Sequence, residues 1–160
     1  MTEVSTQHNP DLAHHIHQGI AWLSASAEGE NTAALSYAAF EFRFAIERLA
    51  IHYWGTLLDR KLEEKDFRDT KSFNCVQHRI YELAGHEKEI NSHFEFMRIV
   101  LGAMRIDAPF QTPQIGKLSK FWHECSELCH IGWTLSSSIP EVRKIAYSNL
   151  TKISQSLLFE

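Results

Sequence analysis

Apolar residues along this chain recur every three to four positions, the spacing that lines one face of an α-helix. Leu12, Ile16, Ile20 and Leu23 form the first such stripe and predict a helix over residues 10–27. Asn9 stands as its cap, Pro10 at its first position and Gly29 as its stop. The second stripe, over 32–58, is the longest and is apolar on two faces. One face carries Leu35, Ala39, Phe42, Ile46, Leu49 and Tyr53, and the other carries Phe40, Phe44, Ile51 and Leu58. A helix apolar on two sides is usually covered on two sides, which places this one at the centre of a bundle.

The run DRKLEEKDFRDT, residues 59–70, reads as a solvated helix end or loop. A third helix is predicted over 71–84, burying Phe73, Val76, Ile80 and Leu83, with Gly85 as its stop. A fourth over 87–104 presents Ile90, Phe94, Met97, Leu101 and Met104. After the loop RIDAPFQTPQ, Thr112 and Pro113 open a fifth helix carrying Leu118, Phe121, Trp122, Cys125, Leu128 and Trp133. The last begins at the capping box Ser138-Ile139-Pro140-Glu141 and buries Val142, Ile145, Ala146, Leu150, Ile153 and Leu157. No segment alternates with a period of two, so no sheet is predicted. The expected fold is all-α: a single-domain bundle of about six helices with a long central second helix. Residues 1–8 are expected to be a flexible tail and 9–160 one helical domain.

Composition narrows the function classes. The 160 residues are 44% hydrophobic and 22% charged, ordinary for one globular domain. A net charge of −4 supplies no general attraction to nucleic acid. The opening MTEVSTQHNP has neither the basic nor the apolar stretch of a secretory leader, and no apolar run is long enough to span a membrane. Cys75, Cys125 and Cys129 are an odd number, read as reduced thiols in a cytoplasmic protein.

The polar groups on the central helix are the first candidates for chemistry. Arg43 and Glu47 lie four apart on one face, and Glu41, Arg48 and His52 make a second strip. Charges on a helix wrapped by neighbours must pair or reach a cleft. They are therefore either a structural ion pair or a site where Arg binds phosphate and Glu or His moves protons. In HECSELCH, residues 123–130, His123, Glu127 and His130 share a side bordered by Ser126, while Cys125 and Cys129 are expected to face the core. That division makes a poor zinc site. His86, Glu89 and His93 share a face of the fourth helix, and His14, His15 and His17 do not share one. No cofactor or designed metal site is read from these patterns. Arg43, Glu47, Ser126 and His130 are the candidate ligand-binding set.

The segments FEFRFAIERL, with Arg43-x3-Glu47, and KFWHECSELCH resemble the HEPN-like helical domains of prokaryotic defence and toxin–antitoxin systems. The likeness spans about residues 31–135. Active members of that family are metal-independent ribonucleases with an Arg and a His a few residues apart. Here the pattern is matched by Arg79 and His86 in RIYELAGH. The resemblance would give Arg79 the role of stabilising the phosphate transition state and His86 that of proton transfer. The motif lies mid-chain and Ile80 follows the arginine, where the family places a polar residue. The resemblance therefore implies a homodimeric, non-catalytic interaction or nucleotide/RNA-related module, with a protein or RNA partner. A metal-independent ribonuclease and an unrelated bundle binding a small ligand or metal are the alternatives.

Overall fold

Asp11 opens the first helix, and the helix–turn–helix it begins sets the frame for the rest. The computed structural model describes residues 11–58, 78, 82–106, 115–130, 132, 133 and 137–158. Helix α1 runs Leu12–Ala25, with the Asp11 side chain accepting the His14 backbone N–H at 2.8 Å. Asp11 thus takes the capping role expected of Asn9, which lies outside the described residues together with Pro10. Helix α2 runs Thr32–Leu58, as the apolar pattern predicts. Asn31 caps it, its side-chain oxygen accepting from the Ala34 N–H at 3.1 Å.

The turn between α1 and α2 is built on Ser26, which is fully buried. Its hydroxyl donates to the Leu23 carbonyl at 2.6 Å, and its own carbonyl accepts the N–H groups of Gly29 and Asn31. The chain then reverses through three residues of positive φ: Ala27 (48°), Glu28 (54°) and Gly29 (100°). Only Gly29 combines that conformation with crowding, because a Cβ there would sit 3.1 Å from the Arg143 carbonyl oxygen. The expected stop residue is thus the tip of a turn, four residues beyond the end of α1.

Three further helices complete the described architecture: α3 (Glu87–Ala103), α4 (Ile115–Leu128) and α5 (Pro140–Leu157). No strand occurs among the described residues, and the fold is an all-α bundle. Helix α2 packs against each of the other four, which makes it central as its length and apolar content predict. Its tightest neighbour is α1. Gly19 admits the ring of Phe42, and any Cβ at that position would overlap the ring. Phe42, Leu35, Ala39 and Ile46 are fully buried, joined in one core by Ile16, Leu23, Trp122, Leu150 and Ile153. Burying side chains of this size stabilises by roughly 1.5–3 kcal/mol each, so this face of α2 carries much of the fold.

Several expectations are corrected. Phe40, Phe44 and Ile51, the second apolar face of α2, are exposed, so that helix is covered on one side and open on the other. Helix α3 buries Ile90 alone, and Met97 and Met104 from its expected stripe are exposed. Residues 82–85 are helical and the chain turns at His86, so the helix does break at Gly85 as expected, with the glycine as its last residue. Most of the predicted third helix lies outside the described residues, although Leu83 is buried as expected. The predicted Ser138 capping box does not form: Ile139 occupies the cap of α5 with no side-chain bond, and Pro140 takes the first position. Arg143 serves that corner instead, donating to the Ser137 carbonyl at 3.0 Å and approaching Glu30 at 3.5 Å. Ile145, expected in the core, is exposed. Trp133 is buried but lies beyond the end of α4, in a short helical turn at 132–133.

Candidate functional site

One side of α2 carries a polar cluster that sits over α4. Arg43 and Glu47, one turn apart on α2, are joined by Arg43 Nε donating to Glu47 Oε1 at 2.9 Å. The same oxygen accepts the indole N–H of Trp122 on α4 at 3.0 Å. The Arg43 guanidinium carbon lies 5.2 Å from the Trp122 ring centroid, within cation–π range. The two charged side chains keep only 20% and 16% of their exposure, and Trp122 is 1% exposed. The indole N–H would cost on the order of 1–3 kcal/mol if it were left without an acceptor. Glu47 prevents that, and Arg43 compensates the carboxylate's charge. The arrangement thus couples a buried tryptophan of α4 to a charge pair of α2 and fixes how the two helices meet.

Ser126 is buried on α4 one turn beyond Trp122 and donates to the Trp122 carbonyl at 2.8 Å. Cys125 is buried in the core, as expected, whereas Cys129, also expected to face it, is exposed. Burial pushes the Cys125 thiol well above its ordinary range, reinforced by Cys129 and Glu124, with Arg43 acting in the opposite sense. The Cys129 thiol is also raised, first by the part of its sulfur environment that is desolvated, with Arg43 opposing and Glu47 adding to the shift. A raised thiol is a weak nucleophile and a weak metal ligand at neutral pH.

His130 belongs to a different place. It borders a groove of about 410 Å³ between α4 and α5, with Glu124, Glu127 and Asn149 on its rim and Val142 and Ile153 on its floor. Arg43 and Glu47 do not line that groove. The candidate ligand set therefore separates into Arg43 and Glu47 at the α2–α4 seam, Ser126 buried on α4, and His130 at the α4–α5 groove. His86 sits at the start of α3, exposed, with Nδ1 3.9 Å from Glu89 Oε2. Arg79 lies outside the described residues. His123 and Glu127 pair at 3.3 Å on the surface of α4. Among the described residues, no three His, Cys, Asp or Glu side chains converge as a metal ion would need. None of the described helices is long and apolar enough to cross a membrane.

Two links escaped the sequence reading. His15, nearly buried on α1, meets Glu41 of α2 with Nδ1 and Oε2 2.7 Å apart. The histidine ring also lies 5.3 Å from that of Phe44. His15 looked like one of three scattered histidines and Glu41 like part of a strip with Arg48 and His52; only the α1–α2 crossing brings His15 and Glu41 together. The second link is Trp122 to Glu47, across 75 positions of sequence. A buried tryptophan needing an N–H acceptor was the one available signal.

Around these polar groups the outer face of α2 is aromatic. Phe40 and Phe44 meet edge to face at 4.5 Å, and Tyr37 lies 4.9 Å from Trp22 of α1. Tyr37 is 54% exposed and Phe40 45%. Comparisons with known protein families, characterised proteins and solved structures returned no match to this chain.

Proposed function

We propose that this chain is a HEPN-like helical module that acts by binding a protein partner through the outer face of α2, without catalysis, in a cytoplasmic setting of the prokaryotic defence or toxin–antitoxin type. The observation that carries this reading is the contrast on α2 itself. Its charged groups Arg43, Glu47 and Glu41 are engaged with Trp122 and His15. Its aromatic groups Tyr37, Phe40 and Phe44 face outward. Large apolar side chains grouped at a surface favour a partner that removes them from water. The net charge of −4 favours protein over RNA as that partner.

The test is a photo-reactive phenylalanine analogue placed at position 44, or at exposed Lys144 as a control, with irradiation in the native host. The expected outcome is a discrete protein adduct from position 44 and none from position 144. No adduct from position 44 would overturn the reading. So would RNA cleavage by the purified chain that His86→Ala or His130→Ala abolishes, an outcome that would install the metal-independent ribonuclease instead.

A further inference from the structure

The groove between α4 and α5 is apolar inside and negatively charged at its lip, and we infer that it binds a small organic ammonium ion, a primary amine on an apolar body. The site is separate from the interaction face of α2, since no described residue of α2 lines the groove.

Helical spacing builds the walls. Val142, Ile145, Asn149 and Ile153 recur three to four positions apart and turn one face of α5 to the gap. Opposite them stand Glu124, Glu127 and Leu128, on one face at the end of α4. Trp133, which follows α4 in the chain, adds a buried aromatic wall. The space of about 410 Å³ matches that of small-molecule sites, which are mostly apolar with a few polar groups that fix orientation. Ile145 is 62% exposed, so a ligand in the groove removes a large apolar side chain from water.

The charge of the lip selects the occupant. Glu124 and Glu127 stand there, and no lysine or arginine is among the described lining residues. Helix α4 ends at Leu128 with no basic side chain in its last turn, so the negative end of its dipole adds to the two carboxylates. Both carboxylates have partners on α4, Lys120 Nζ at 3.7 Å from Glu124 and His123 Nε2 at 3.3 Å from Glu127. Those partners are more than half exposed, and surface pairs of this kind are weak, so an ammonium in the groove competes with them at little cost. Asn149 adds a side-chain carbonyl that can accept an ammonium N–H. An anion of the same shape meets repulsion at the same lip, and a neutral molecule leaves the charges unused. A bare metal ion does not fit, because among the described residues no three ligating side chains converge.

Nuclear magnetic resonance titration of the isotope-labelled full chain tests this. The probes are hexylamine, phenethylamine and tryptamine, set against heptanoate, phenylpropionate and indolepropionate as their acid counterparts. At least one amine is expected to saturate with a Kd on the order of 1 mM. It should move the backbone signals of Glu127, His130, Gly132 and Asn149. The matching acid is expected to bind more weakly by about tenfold or more. Glu124→Gln combined with Glu127→Gln is expected to weaken the amine about tenfold, with circular dichroism confirming the fold. Ile145→Lys places a cation at an exposed position of the groove and is expected to weaken the amine to a similar extent. Ile145→Leu is expected to leave it within about twofold. Failure of all three amines to saturate overturns the inference, and so does an acid that binds as tightly as its amine. Saturation that moves the signals of Phe40 and Phe44 in place of those at the groove overturns it too, as does an affinity indifferent to the added lysine. Should the paired glutamine variant fail to fold, Ile145→Lys against Ile145→Leu decides.

Discussion

The two faces of α2 are nearly alike in composition and opposite in circumstance. Leu35, Phe42 and Ile46 on the inner face are fully buried, whereas Tyr37, Phe40, Phe44 and Ile51 on the outer face remain open to water. Apolar character therefore says that a surface favours being covered, but not what covers it. On the inner face the cover is α1, α4 and α5, held at a fixed distance by Gly19 and by the Glu47–Trp122 bond. That face contributes to the stability of a single chain. The outer face contributes little until something lies on it, and its energy is available for association.

The contrast can be broken most directly at Phe42. Phe42→Ala is expected to lower the unfolding free energy by about 3–5 kcal/mol, through lost burial and the cavity left beside Gly19. Chemical denaturation measures it. A loss below 1 kcal/mol would mean that the inner face is not the stabilising one.

Glu47→Ala comes next, with an expected loss of about 1–3 kcal/mol, because the buried Trp122 N–H loses its acceptor and Arg43 its counter-charge. Trp122→Phe in the same background should add less than it does alone, since the two substitutions remove one shared bond. Strict additivity in that double-mutant cycle would show that the seam is not held by this pair.

The cysteines sharpen the same boundary between inside and outside. Cys129 is expected to react with a thiol reagent in the native state, and Cys125 only on unfolding, as read by site-resolved mass spectrometry. The Cys125 thiol is raised well above 9.0 by burial, so it stays neutral in the native chain while an unfolded chain ionises it. Its contribution is thus fully present below about pH 9 and is lost as pH rises further, so stability should fall on the alkaline side. In Cys125→Ala that alkaline decline should be shallower.

Phe40→Ser should produce the smallest change, within about 0.5 kcal/mol, because the site is already exposed. A loss comparable to that of Phe42→Ala would erase the distinction between the two faces.

Much of the frame was legible because helix formation is governed by short-range spacing. The limits of α2, and the buried positions Leu35, Phe42, Ile46, Ile16, Leu23 and Ile153, follow from apolar residues three or four apart. The caps were harder. Asp11 and Asn9 are both good caps two residues apart, and a Ser138 box matched on paper, but Arg143 bonds the carbonyls of that corner. The candidate site was legible only in halves. Arg43 and Glu47 could be paired from their four-residue spacing, but their engagement with Trp122 could not, nor could the meeting of His15 with Glu41.

By itself the sequence determined an all-helical chain and the length and central place of α2, since each depends on periodicity along one helix. Only the tertiary structure decided which apolar face of α2 is covered and which polar groups are engaged. Both depend on how α1 and α4 cross α2, and that crossing is set by contacts between residues distant in the chain: Gly19 with Phe42, and Trp122 with Glu47.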